Sequence, residues 1–209
     1  MSKLVPKLIL EGTRLTHKTD LAFALNEHPR IVGPRRYRYH SPLISAEWCG
    51  FTNSPWGRGL INYDPTETDQ AMETYACWVR LFELLRYYSW IIDRFHLSTR
   101  AWQINAGRPD PDFGWLEDRL AALDFRIVLC QRPAESFAAA RQERLKVSGK
   151  PSQYDDLEIF VREQELLDTL AGKSRLKVMR LDVSDGNLAG AADRVADWLA
   201  ATGGLTTDR

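Results

Sequence analysis

The chain has 209 residues, which fits one domain, and 44% of them are hydrophobic, enough for a sizeable core. Basic and acidic residues both number 28, so no global charge attracts nucleic acid or an anionic membrane surface. The 3 cysteines lie far apart and lack metal-ligand spacing. No apolar run suits a signal peptide or a bilayer span. We therefore expect a cytoplasmic protein without membrane or nucleic-acid partners.

The first quarter of the chain predicts two strands, a helix and a long irregular segment. An apolar run predicts the first strand at 7–10, and a helix over 18–26 is ended by Pro29. A short apolar segment at 30–32 predicts the second strand. Periodicity then fades over 33–65, which is rich in proline, glycine and aromatic residues. Because aromatic side chains are costly to expose, we interpret this segment as an insertion that walls the substrate side of a site. The alternative is a surface excursion with no role.

Strands and helices alternate along the rest of the chain. Helices are predicted over 66–88, 95–105, 115–123, 133–146, 157–170 and 188–200, and strands over 89–93, 125–130 and 176–181. This order predicts one α/β domain over residues 1–209, with a mostly parallel sheet of about five strands and helices on both faces. Ligands bind outside the carboxyl ends of such strands, so we expect residues 11–19, 93–98 and 131–133 to converge there.

The loop after the first strand has a phosphate-binding pattern. Residues 12–19, GTRLTHKT, fit G-x-x-x-x-G-K-[ST] except that His17 replaces the second glycine. In this motif the loop N–H groups and the helix N-terminus wrap a phosphate chain, while Lys18 reaches the β- and γ-phosphates and Thr19 binds Mg²⁺. The candidate phosphate-binding residues are Gly12, Thr13, Arg14, Thr16, His17, Lys18 and Thr19. The alternative is a basic loop that joins a strand to a helix without any ligand.

A second motif suggests a family. Residues 93–103, DRFHLSTRAWQ, closely resemble the D-R-[YFH]-x-x-S-x-x-A-[YW]-Q signature of thymidylate kinases. Glu11-Gly12 is similar to that family's opening, and residues 160–163 and 181–184 are similar to its tail. The likeness covers roughly residues 7–30 and 66–200. It is specific for the P-loop nucleoside and nucleotide kinase group and less specific for thymidylate.

The resemblance implies a function. A three-layer P-loop kinase fold with a lid would use ATP and Mg²⁺ to phosphorylate a nucleoside monophosphate or a closely related nucleotide or nucleoside. Thymidylate kinases are usually dimers through helices beside the sheet. The resemblance therefore also implies a homodimer, in which the apolar helix 66–88 could serve.

The second motif also supplies candidate roles. Asp93 ends a predicted buried strand, and its carboxylate would hold the metal or accept a hydroxyl proton; its alternative role is an N-cap. The planar fork of Arg94 suits an acceptor phosphate or carboxylate, and its alternative is a surface ion pair. If the resemblance holds, Ser98 and Gln103 contact the acceptor. Arg36, in the basic front of the irregular segment, is our candidate for the acceptor's anion.

A third candidate region is a lid over residues 141–156, where these kinases carry a mobile segment. Arg141 and Arg144 there would close over the transferring phosphoryl group and exclude water. The alternative is a charged helix face that is simply solvated.

Two positions depart from the family pattern. A residue with a β-carbon at His17 must adopt a left-handed backbone at a cost of roughly 1–2 kcal/mol, and histidine is one of the more tolerant residues there. Arg14 stands where thymidylate kinases usually carry an aspartate that contacts the acceptor sugar. Two alternatives therefore stay open: a kinase of a non-nucleotide small molecule, such as an antibiotic or biosynthetic intermediate, and a degenerate nucleotide-binding protein that regulates a partner.

Overall fold

The computed structural model describes residues 4–33, 43–52 and 58–206. Within them five strands form one sheet in the order β2-β3-β1-β4-β5, and every neighbouring pair is parallel. The strands are β1 (Lys7–Glu11), β2 (Leu43–Ser45), β3 (Trp90–Asp93), β4 (Arg126–Gln131) and β5 (Lys177–Asp182). The helices are α1 (Lys18–Glu27), α2 (Pro29–Val32), α3 (Thr68–Leu84), α4 (His96–Asn105), α5 (Gly114–Ala122), α6 (Phe137–Leu145), α7 (Glu158–Gly172) and α8 (Leu188–Ala201).

The sheet has an apolar core on each face. All five residues of β1 are buried, as expected for a central parallel strand that is covered on both sides. Successive side chains of a strand point to opposite faces, so Ile9 packs into one apolar cluster while Leu8 and Leu10 pack into the other. The first cluster includes side chains of α3, α4, α5 and α7, and the second those of α1 and α8. The predicted three-layer α/β fold is confirmed.

Helix α3 buttresses the turn that follows β3. Its buried positions, Ala71, Tyr75, Val79 and Phe82, recur at three- and four-residue steps and form one apolar stripe. The ring of Tyr75 lies edge-on to Phe95 with centroids 4.9 Å apart. This contact packs the ring of Phe95, the residue that directly follows Arg94, against α3.

The second strand is the main error of the sequence prediction. Residues 30–32 are not a strand but part of the short helix α2, which has proline at its first position and the His28 ring accepting a hydrogen bond from the Arg30 N–H at 3.3 Å. The second strand is β2, at the sheet edge and inside the segment predicted to be irregular. Leu60 and Tyr63 of the same segment are also buried. The segment is therefore partly a component of the fold.

The other elements agree with the prediction, with small shifts of their ends. The helix predicted over 66–88 ends at Leu84, and the helix predicted over 133–146 begins as a short 3-10 turn before α6. Among the described residues, no helix is both long enough and apolar enough to cross a bilayer.

Candidate functional site

The carboxyl ends of the central strands meet at one cleft. Because β3, β1 and β4 are parallel neighbours, the residues that follow them lie at one edge of the sheet. Of the segments expected to converge there, 11–19 and 93–98 supply residues that line the cleft, and 131–133 does not. A cleft of about 500 Å³ opens there. Residues 14–20 line one wall, Glu47 and Arg94 line a second, and α6 with the turn after it, up to Tyr154, lines a third.

The loop between β1 and α1 is tight and strained. Gly12 has φ of 151°, and a β-carbon there would come within 2.7 Å of the Cys130 carbonyl oxygen. Leu15 and His17 also have positive φ, 66° and 50°. The Thr16 hydroxyl donates to the Thr13 carbonyl at 2.7 Å and closes the loop on itself. His17 thus has the left-handed backbone that replacement of a glycine requires. The loop keeps its conformation, and this backbone strain costs some stability.

Lys18 is held under this loop in a poorly solvated position. Lys18 is 8% exposed, and the hydrogen bond that its ammonium makes among the described residues is long, 3.4 Å to the Thr13 carbonyl. Burial, together with the nearby Arg94 charge, lowers the pKa of Lys18 to about 8, while Asp93 opposes the change. An anionic group entering the cleft would favour the charged ammonium, so this lysine is suited to bind phosphate.

Thr19 and Asp93 form the candidate metal site. The Thr19 hydroxyl donates to Oδ2 of Asp93 at 2.7 Å. The other oxygen, Oδ1, is buried and has no hydrogen-bond partner among the described residues. Mg²⁺ in phosphate-transfer sites takes one or two protein carboxylates and fills its other positions with phosphate and water. No cluster of three or more acidic, histidine or cysteine ligands occurs in the described part of the chain, and this pair fits the sparse kind of site.

Arg94 forms the opposite wall and is paired with a residue that the sequence analysis missed. It has φ of 61°, is 7% exposed, and its Nε lies 2.8 Å from Oε1 of Glu47. The Nε–H does not meet the geometry of a hydrogen bond, so this is a charge pair. Glu47 follows β2 within two residues. Placing the second strand at 30–32 hid the signal, a carboxylate just after a strand end.

Glu163 of α7 is a second residue without an assigned role in the sequence analysis. Its carboxylate accepts a short hydrogen bond from the Thr13 hydroxyl. It therefore joins α7 to the phosphate-binding loop across 150 residues of chain. The sequence feature that could have pointed to Glu163 is the tail motif at 160–163. It contributed to the family resemblance, but no chemical role was assigned to it.

The residues assigned to the acceptor already have protein partners. The buried Ser98 hydroxyl donates to Glu11 at 2.5 Å. Gln103 is 2% exposed and donates to the Tyr63 carbonyl at 3.0 Å. Neither lines the cleft. Their contact with an acceptor stays a prediction that these hydrogen bonds do not support, and Arg36 lies outside the described residues.

The two lid arginines differ. Arg144 lines the cleft, and its Nε donates to the Tyr154 hydroxyl at 3.0 Å. Arg141 does not line the cleft, because its guanidinium is engaged by the Tyr154 carbonyl at 2.7 Å and by Asp155 at 2.9 Å. In this conformation Arg141 stabilises the turn after α6, and only Arg144 is available to a ligand in the cleft.

The fold is an α/β fold with an all-parallel sheet and an apolar core on each face, and two solved structures share this architecture. The YorR protein of Bacillus subtilis, in complex with phosphorylated GDP, is 15% identical, with a TM-score of 0.62 over 94% of this chain and 96% of that one. A sugar kinase of Janibacter sp. HTCC2649, without ligand, is 13% identical, with a TM-score of 0.55 over 98% and 99% of the two chains. No family profile and no curated protein matches this sequence. At these identities the likeness concerns the fold.

Proposed function

We propose that this protein is an ATP- and Mg²⁺-dependent phosphotransferase. The observation that carries the proposal is the hydrogen bond from Thr19 to Asp93, with the free carboxylate oxygen of Asp93 beside the buried ammonium of Lys18. A hydroxyl, a carboxylate and a lysine at the mouth of a strained loop are the groups that phosphoryl transfer requires. The two solved structures that share the fold are consistent with this proposal.

In this mechanism the chain positions charge and contributes no covalent step. The N–H groups of residues 12–19 and the N-terminus of α1 surround the donor phosphates. Lys18 would bind the phosphate oxygens, and Thr19 and Asp93 would hold Mg²⁺, which would supply neutralisation of the phosphate charge. Arg144 approaches from the α6 side, where it stabilises charge on the transferring group.

Two acceptor classes compete at the wall formed by Arg94. The family resemblance favours a nucleoside monophosphate, whose phosphate would bind the guanidinium. Glu47 already occupies that position and is 52% exposed on its side chain, so a second anion would have to displace it. The pair therefore favours an acceptor that offers a hydroxyl without a phosphate, such as a nucleoside or another small hydroxyl compound. Glu47 is then within reach to accept the hydroxyl proton.

The test is a screen for a phosphorylated product. Purified protein is incubated with MgATP and panels of nucleosides, nucleoside monophosphates and sugars, and products are measured by mass spectrometry. We expect transfer to at least one compound and its loss in Lys18→Met, with Lys173→Met, an exposed lysine at the end of α7, as the matched control. Transfer that persists in Lys18→Met contradicts the proposal. Tight MgATP binding without any transfer supports a regulatory protein instead.

Glu47→Gln separates the acceptor classes once an acceptor is found. Loss of a proton acceptor lowers kcat about 10²-fold or more for a hydroxyl acceptor. For a monophosphate acceptor the same change frees Arg94 and lowers the KM for the acceptor. An unchanged kcat with a lower KM therefore contradicts the assignment of Glu47 as the proton acceptor.

A further inference from the structure

Glu11 is a fully buried carboxyl group that the proposed mechanism does not use. It ends β1 and immediately precedes the phosphate-binding loop. Its Oε1 accepts hydrogen bonds from the backbone N–H groups of Phe95 and Leu97, both at 3.1 Å. Its Oε2 accepts from the Ser98 hydroxyl at 2.5 Å. Glu11, at the end of β1, therefore satisfies three hydrogen-bond donors at the start of α4.

These donors belong to Phe95 and to the first turn of α4, directly after Arg94. Phe95, the residue that precedes α4, makes no side-chain cap to the helix, so Glu11 takes over this function from outside the helix. A serine or aspartate at the cap position would satisfy an N–H group of the first turn in a similar way. It would not, however, connect the turn to β1. The use of a carboxyl group from β1 is what joins the two loops.

Arg94 needs such support because its backbone is strained. Its φ of 61° is left-handed, an unfavourable conformation for a side chain of this size. The Arg94 N–H donates to the Leu10 carbonyl at 3.0 Å, and the next N–H along the chain donates to Glu11. Adjacent residues at the end of β1 thus hold Arg94 in its left-handed conformation, which directs its buried guanidinium to the cleft wall beside Glu47.

We propose that Glu11 is a positioning residue that fixes Arg94 relative to the phosphate-binding loop. This role rests on the proposed function, since it sets the distance between the donor phosphates and the acceptor wall. Glu11 does not touch the reacting atoms. It acts through the Phe95 and Leu97 N–H groups and, through them, on the guanidinium.

Three variants test the role. Glu11→Ala removes all three hydrogen bonds. Glu11→Gln keeps an oxygen for the two backbone N–H groups, and its amide can donate to the Ser98 hydroxyl. Ser98→Ala removes only the third hydrogen bond and leaves the two backbone ones, so it controls for a loss of stability that does not move Arg94.

The first readout does not depend on activity. The Nε–H of Arg94 is buried, so its ¹⁵Nε–¹Hε signal, assigned by comparison with Arg94→Lys, is expected to exchange slowly with water. We expect protection to persist in Glu11→Gln and Ser98→Ala and to fall at least tenfold in Glu11→Ala. Equal protection in Glu11→Ala and wild type overturns the proposal, whatever the enzyme does.

The second readout uses the acceptor found in the product screen. Because a misplacement of about 1 Å can cost 10²-fold in rate, we expect Glu11→Ala to lower kcat about 100-fold with little change in the KM for ATP, and Glu11→Gln to restore most of the rate. A Glu11→Ala protein that keeps the wild-type kcat refutes the role. Absence of transfer by the wild type refutes the proposed function, and the exchange measurement then decides the role of Glu11 separately.

Discussion

Replacement of Lys18 by methionine is expected to stabilise the protein while it removes phosphate binding. Lys18 is 8% exposed, and the hydrogen bond that its ammonium makes among the described residues, to the Thr13 carbonyl, is long. Burial, together with the charge of Arg94, lowers the pKa of Lys18 from 10.5 to about 8. Methionine has nearly the same length and carries no charge. The variant therefore fills the same space without burying an ammonium.

The size of the effect follows from this pKa. The pKa of Lys18 differs by about 2.5 units between the unfolded and the folded protein, 10.5 less 8. This difference lowers the free energy of unfolding of the wild type by about 3 kcal/mol at pH 7. The unfolded chain binds the additional proton between pH 8 and 10.5, so the free energy of unfolding of the wild type rises across this window. For a chain of this length 3 kcal/mol shifts Tm by roughly 6–12 °C.

Thermal unfolding followed by circular dichroism at pH 7 and pH 9.5 measures this effect. We expect Lys18→Met to have a higher Tm than the wild type at pH 7, and the difference in Tm to narrow by about half at pH 9.5. Lys173→Met, at an exposed position, should track the wild type at both values. If Lys18→Met is no more stable than the wild type at pH 7, or if the gap does not depend on pH, the reasoning about this buried charge is wrong.

Three further changes have defined outcomes. Burial alone would raise the pKa of Glu117, but the hydrogen bond and charge of His96 and further hydrogen bonds lower it to about 2. Glu117→Gln should therefore lower the free energy of unfolding by about 2 kcal/mol at pH 7. Urea unfolding should show this loss fading as pH falls from 4.5 toward 2. Gly12→Ala should lower Tm and abolish MgATP binding by calorimetry, because its new methyl group would meet the Cys130 carbonyl oxygen at 2.7 Å. His17→Gly should keep phosphate binding and unfold within about 1 kcal/mol of the wild type, since glycine accepts the left-handed backbone without strain.

Each of these three predictions has a control. Gly149→Ala adds a methyl group that meets nothing within 4 Å and should be neutral, so a similar loss there would undermine the steric argument. His17→Val places a β-branched residue in the left-handed conformation and should be clearly less stable than His17→Gly. A loss in Glu117→Gln that stays constant from pH 7 to pH 3 would mean that packing, rather than ionisation, is responsible.

The parts of the fold that the sequence predicted well are those governed by local pattern. Continuous apolar runs such as 127–130 mark parallel strands that are buried on both faces, and the stripe around Tyr75 marks a helix against the sheet. The failure at 30–32 has a local cause as well. Two apolar residues after a proline fit a strand and a helical first turn equally, and only the histidine ring that caps the turn decides between them.

The candidate site divides in the same way. Lys18, Thr19 and Asp93 were accessible to sequence reasoning because Lys18 and Thr19 follow β1 in a phosphate-binding pattern and Asp93 ends β3. Neighbouring parallel strands bring such residues to one edge. Glu47 was not accessible to sequence reasoning, because the strand before it has three residues and little periodicity. Gln103 was assigned to ligand binding by motif; it is buried and donates to a backbone carbonyl, and its contact with an acceptor stays a prediction.

The residues that sequence reasoning left without a role are carboxyl groups that join distant segments. Glu11 connects β1 to the turn before α4, Glu47 pairs with Arg94 from another strand, and Glu163 connects α7 to the phosphate-binding loop. No spacing rule describes such contacts, since each depends on which strands become neighbours. All three surround the cations of the cleft, and Glu47 and Glu163 both oppose the fall in the pKa of Lys18. These carboxylates partly offset the positive charge of Lys18 and Arg94, so an anionic ligand in the cleft would have to compete with them.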